Sequence, residues 1–167
     1  QLNSIQFNSI RHFNSSRLSS IPFNIIRLNS AKLNLVQFNS TQLNSTQIIS
    51  IQSLDAGQRI GYGGRAKTKQ ASKIAIVYCG YADGFPQTAQ DGTSVLVNDR
   101  LAKIIGRVSM DLISVDVSEI NDCKIGDWCE LWSPDLPIVQ NANKNNLISY
   151  ELMTKISSRV TRKYLNI

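Results

Sequence analysis

From Gln47 onward the chain is a succession of short apolar stretches, each cut off by a turn signal. IISIQSL (48–54) runs into Asp55-Ala56-Gly57, and KIAIVYCGY (73–81) runs into Asp83-Gly84 and Pro86. TSVLV (93–97) and RLAKII (100–105) flank Asn98-Asp99, a pair that tolerates positive φ and so predicts a two-residue hairpin. SMDLISVDV (109–117) alternates apolar and polar side chains, and KIGDWCELW (124–132) opens on a Gly126-Asp127 turn before an aromatic strand. Short strands at this spacing predict an all-β barrel or sandwich. Only one stretch has helical spacing. In YELMTKISSR (150–159), Leu152, Met153 and Ile156 share a face, Ser149 is the expected N-cap, and Leu147 or Ile148 would be the staple. The expectation is one short C-terminal helix followed by a closing strand through RVTRKYL (159–165).

Residues 1–45 obey a different rule. They contain no Asp, Glu, Gly, Trp or Tyr, and from Phe13 an apolar residue recurs every fifth position: Leu18, Phe23, Leu28, Leu33, Phe38, Leu43 and Ile48. A period of five matches neither the helix nor the flat strand. Units such as QLNST and QFNST resemble the pentapeptide-repeat family, in which each unit forms one side of a square β-solenoid. The alternative is a low-complexity repeat that stays disordered and, being rich in Asn and Gln, is prone to associate. The composition break places a domain boundary between a repeat segment, 1–45, and a β-domain, 46–167.

Charge and cysteine usage exclude several function classes. The net charge of +6 has two sources. Arg11, Arg17, Arg27 and Lys32 are uncompensated in the first segment, while the remainder is nearly balanced. Charge spread in this way reads as a solvated surface, not a nucleic-acid face. Cys79, Cys123 and Cys129 form no Cys-x-x-Cys pair, and the single His, His12, lies in the repeats, so no metal site of the usual zinc spacing is expected. An odd cysteine count reads as reduced thiols in strands. No apolar run is long enough for a membrane helix, and no signal peptide is evident, so the expected location is cytoplasmic.

The motif series from residue 61 onward is more specific. GYGG (61–64), GYADG (80–84), IIGRVSMD (104–111), IGDWCELW (125–132), ISYEL (148–152) and SRVTRKY (158–164) occur in this order. That series resembles the C-terminal β-barrel domain of the pyridoxal-phosphate-dependent alanine racemases throughout its length. The resemblance implies an isomerase that interconverts L- and D-alanine for cell-wall peptidoglycan. It also implies alanine as substrate and a barrel domain or a homodimer partner; from charge and hydropathy, neither nucleic acid nor membrane is expected as a partner.

Racemisation needs one proton removed from one face of the α-carbon and another delivered to the opposite face. In the family one base is the lysine that carries the cofactor on an N-terminal barrel. The other is a tyrosine reaching in from the partner's C-terminal domain, and Tyr62 of GYGG matches it. A free phenol ionises near ~10 and is a weak base at neutral pH, so the role depends on positive charge nearby. Met110 matches the residue whose main-chain amide meets the substrate carboxylate, and Tyr150 a tyrosine that hydrogen-bonds the cofactor phosphate at a helix start. Tyr81 and Arg107 match residues lining the substrate channel. Where the family commonly has an arginine after GYADG, this chain has Gln87. No counterpart of the cofactor lysine is visible in this chain, and the surroundings of Lys32 do not resemble one. Three readings follow: a racemase C-terminal domain inactive by itself, half of a split racemase completed by a separate barrel chain, or a non-catalytic interaction module.

Overall fold

The computed structural model describes residues 44–162. The solenoid-or-disorder question for the repeats lies outside them, apart from Asn44 and Ser45, which open the first strand. The strands are β1 (Asn44–Leu54), β2 (Arg59–Ile60), β3 (Ala66–Lys67), β4 (Ser72–Val77), β5 (Ser94–Val97), β6 (Arg100–Ile104), β7 (Ile113–Asp116) and β8 (Trp128–Trp132). Two helices follow, α1 (Ile138–Lys144) and α2 (Ser149–Thr154).

Six strands close into an antiparallel barrel in the order β1-β4-β7-β6-β5-β8, and β2 and β3 form a separate two-stranded ribbon. β1 closes the ring because it is long enough to serve two partners. Its first residues pair with β8 (Thr46 opposite Cys129) and its last with β4 (Ile51 opposite Ala75). The register slips between Ile48 and Ser50, a bulge of the kind that lets a strand bend round a barrel. Inward positions alternate along the strands: Ile113 and Val115 on β7, Ala102 and Ile104 on β6, Val95 and Val97 on β5. These join Ile48, Val77, Leu131 and Trp132 in one core. The mainly-β barrel expected from the sequence is therefore the fold observed.

The predicted hairpin is present. Asn98 and Asp99 have φ of 51° and 61°, as a two-residue primed turn requires, and Asn98 Nδ2 donates to Asp127 Oδ2 at 2.7 Å. Asn98→Ala is expected to cost about 1–2 kcal/mol, the penalty for a Cβ in the left-handed region without a compensating side-chain bond. Asn98→Gly should cost less, and urea denaturation of the two variants checks the difference.

Three expectations need correction. The described residues form two α-helices, not one. α1 has no helical apolar spacing in the sequence: it follows Pro137 and is held by amides in place of an apolar stripe. Asn141 Nδ2 donates to Leu131 O at 2.5 Å, and Asn145 Nδ2 donates to Asn141 O at 2.7 Å. In α2 the cap position falls on Ile148, with no side-chain cap, and Ser149 is already helical. Finally, residues 158–160 form a turn where a closing strand was expected, because Ser157 N–H is drawn to Asp83 O at 3.0 Å. The rest of that expected strand, from Lys163, lies outside the described residues.

The thiols are free and buried, but only Cys129 lies in a strand. Burial pushes Cys79 up from its ordinary 9.0 to about 12, and the Asp83 carboxylate adds to the shift. Burial also pushes Cys129 up, with Cys79 and Glu130 reinforcing it. A raised folded-state value means that stability is fully present below the unfolded thiol value. It is then lost as pH rises through the folded one. The urea midpoint is expected to fall as pH climbs from 9.0 toward about 12, with a shallower fall in Cys79→Ala.

Candidate functional site

Three motifs distant in sequence meet at one part of the barrel, and glycines allow the contact. GYGG forms a short 3-10 turn, Tyr62–Gly64, between β2 and β3. Tyr62 N–H donates to Arg107 O at 3.1 Å. The contact beneath it is backbone against backbone: a Cβ on Gly61 would lie 2.7 Å from Arg107 N, and one on Gly106 would lie 2.8 Å from Ile60 O. Beside this junction is a pocket of about 280 Å³ lined by Gly61, Tyr62, Ile76, Arg107, Ser109, Leu112 and Ser114. Tyr62 is 61 % exposed. Its side chain faces solvent, not a sealed apolar interior.

GYADG forms a second 3-10 turn, Tyr81–Asp83, closed by Asp83 Oδ2, which accepts Gly80 N–H at 2.9 Å. This turn lies on the VSMD segment. Tyr81 N–H donates to Ser109 O and Ala82 N–H to Met110 O, both at 3.0 Å. Arg159 spans the two motifs, with Nη2 2.6 Å from Asp111 Oδ1 and Nε 3.6 Å from Asp83 Oδ1. The hydrogen bond to Asp111, with Asp83 close by, holds the Arg159 guanidinium above its ordinary value. Met110 occupies a tight turn in which Ser109 N–H donates to Leu112 O and Leu112 N–H to Ser109 Oγ. Met110 O is used by Ala82, while its N–H finds no acceptor among the described residues.

The residue chain 107–111 thus joins Tyr62 and Arg107 at one end to Met110 and Tyr81 at the other. Tyr150 is half exposed in the first turn of α2. The far end of its helix meets the site, where Lys155 O packs on Gly84. With six residues, α2 is too short to support the helix-dipole argument for a phosphate. Arg159, Arg65 and Asp91 carry no signal of a bracing role along the sequence. Each works through a partner more than 20 residues away, so no local pattern marks it.

The pocket offers a phenol, a guanidinium and hydroxyls, but no lysine lines it. The described residues therefore do not fit pyridoxal phosphate as a holder, since nothing in the pocket could bond its aldehyde. They fit as one wall against which a cofactor held elsewhere could lie.

Comparison with known proteins accounts for this partial site. The family model described as alanine racemase, C-terminal domain, matches residues 42–164. The alanine racemase of Stutzerimonas stutzeri is 40% identical over 117 residues, covering 70% of this chain and 33% of the relative. Among solved structures, the biosynthetic alanine racemase of Pseudomonas aeruginosa is 40% identical with a TM-score of 0.72, covering 74% of this chain and 35% of that one. The enzyme from Bartonella henselae, solved with covalently bound pyridoxal phosphate, is 32% identical with a TM-score of 0.69 and covers 72% and 34%. The chain thus spans about a third of the length of the curated relatives it matches. With its barrel topology, motif order and matched span in agreement, the chain belongs to the alanine racemase family through that family's C-terminal domain.

Proposed function

We propose that this domain supplies one of the two proton-transfer groups of an alanine racemase, and that residues outside 44–162 hold the pyridoxal phosphate. The observation that carries this reading is the exposed Tyr62, bonded to Arg107 and connected by a single short segment to Met110, whose N–H has no acceptor among the described residues. Tyr62 Oη takes a proton from, or returns one to, one face of the substrate α-carbon. Arg107 lines the same pocket and puts a guanidinium on the wall that Tyr62 shares. The Met110 N–H is a main-chain donor for the substrate carboxylate, the kind of fixed dipole that binds an anion without reorganising. Tyr81 and Arg107 border the approach to that point, and Tyr150 is the phosphate contact.

The exposed Tyr62 and Met110, joined through residues 107–111, make this face suited to being covered by the cofactor-bearing polypeptide, in the same chain or a second one. The domain by itself is then expected to be inactive. The buried, unpaired thiols support a reducing compartment, in keeping with a cytoplasmic enzyme.

A domain exchange tests the reading. Residues 44–167 replace the corresponding C-terminal third of the Pseudomonas aeruginosa enzyme, and D-alanine formation from L-alanine is followed. Racemisation above that of the truncated enzyme is the expected result. An exchanged protein that binds pyridoxal phosphate yet forms no D-alanine would exclude this role for the domain.

A further inference from the structure

The turn that carries Tyr62 is poorly secured by its own residues. Gly61, Gly63 and Gly64 all have positive φ, and no residue of the turn is buried. The neighbouring loop, 86–93, is the opposite. Gly92 N–H donates to Ile104 O at 2.8 Å and Thr93 Oγ1 to Gln90 O at 2.7 Å. Buried Asn145, which caps α1, adds a further tie, its Oδ1 accepting Gln90 N–H at 2.7 Å and Thr93 Oγ1–H at 3.1 Å. Ala89 within this loop is fully buried.

Asp91 stands between the loop and the turn. Its Oδ1 accepts Arg65 Nη2 at 2.6 Å and Gly106 N–H at 2.9 Å. Arg65 directly follows the Tyr62 turn and also donates to Ala89 O at 3.3 Å. Gly106 directly precedes Arg107, whose carbonyl accepts the Tyr62 N–H. One carboxylate oxygen therefore fastens both the segments that bear Tyr62 and Arg107 to a loop that is itself tied to the core.

We propose that Asp91 is a positioning residue for Tyr62, acting through Arg65 and the Gly106 amide. The inference rests on the reading of Tyr62 as the proton-transfer group. A half-exposed ion pair adds little to global stability. Locally the balance is different, because a glycine-rich turn without buried side chains is otherwise held by main-chain contacts to 106–107, the segment that Asp91 itself fastens. Misplacing a reacting group by about 1 Å costs ~10²-fold in rate, so a small local slackening is enough to matter.

The test reads Tyr62 directly. The chain has five tyrosines, so 3-fluorotyrosine labelling gives few resonances, and Tyr62→Phe assigns the one of interest. In Asp91→Ala the Tyr62 resonance is expected to shift or broaden while that of Tyr150 stays in place. Amide exchange at Gly106 and Tyr62 should quicken ~10-fold, as loss of a charge-assisted bond implies. Exchange at core Val115 should not change, and Asp91→Glu should restore the Tyr62 signal. In the domain-exchanged enzyme Asp91→Ala should lower kcat and leave KM in place. An unmoved Tyr62 resonance with unaltered exchange at both amides would overturn the proposal. So would uniform acceleration that includes Val115, since Asp91 would then be a general stability residue. Full activity in Tyr62→Phe would remove the acid–base reading while leaving the spectroscopic result on Asp91 intact.

Discussion

Gly84→Ala is expected to destabilise the domain by about 3–5 kcal/mol, combining a strained left-handed backbone with overpacking against main chain. Gly84 has φ of +105°, and an added Cβ would lie 2.2 Å from Lys155 O and 2.7 Å from Ile156 Cα. These atoms cannot swing aside as a side-chain tip can. Lys155 caps the C-terminal end of α2, and two residues later Ser157 N–H is bonded to Asp83 O. Relief of the clash requires α2 to lift from the Tyr81–Asp83 turn, which would break that bond and slacken the Arg159 bridge. Gly57→Ala is the internal control. Its φ is +83° but nothing lies within 4 Å, so only the backbone penalty of about 1–2 kcal/mol applies. Urea denaturation of both variants separates the two contributions. Equal losses would mean that the contact with Lys155 is unimportant and that backbone strain is the whole effect.

Tyr62→Phe in the domain-exchanged enzyme is expected to lower kcat/KM for alanine by ~10²–10⁴-fold, the usual range for losing a positioned acid–base group. The deletion removes one oxygen from a side chain that is 61 % exposed, so thermal stability should be nearly unchanged. That combination matters, because an activity loss with intact stability cannot be put down to misfolding. Met110→Leu provides the complementary case. A donor that belongs to the main chain survives a change of side chain, so KM should stay close to the parent value. A Tyr62→Phe loss smaller than ~10-fold would show that the proton is carried by another group.

How much of this was legible beforehand depended on the range of the interactions concerned. The Asn98-Asp99 hairpin could be read directly, because a two-residue turn is decided by the φ preferences of its own residues. The inward face of β7 could be read from the alternation of Ile113 and Val115. α1 could not, since its buried positions are Asn141 and Ala142 and its anchor is an amide reaching Leu131 ten residues away. The expected closing strand failed for a related reason. β1 already seals the barrel against β8, and the chain after α2 is drawn instead to Asp83.

The candidate site divides along the same line. By themselves the residues determined the β-class of the fold, the turn positions, the family resemblance and the residue types at issue, because each is written in local spacing and motif order. Tertiary structure alone decided that Tyr62 and Arg107 share a pocket, that Met110 N–H is left without an acceptor among the described residues, and that Asp91 and Arg159 brace the surrounding loops. Contacts between residues tens of positions apart depend on barrel closure and on glycines that admit another backbone. Neither leaves a periodic trace along the chain.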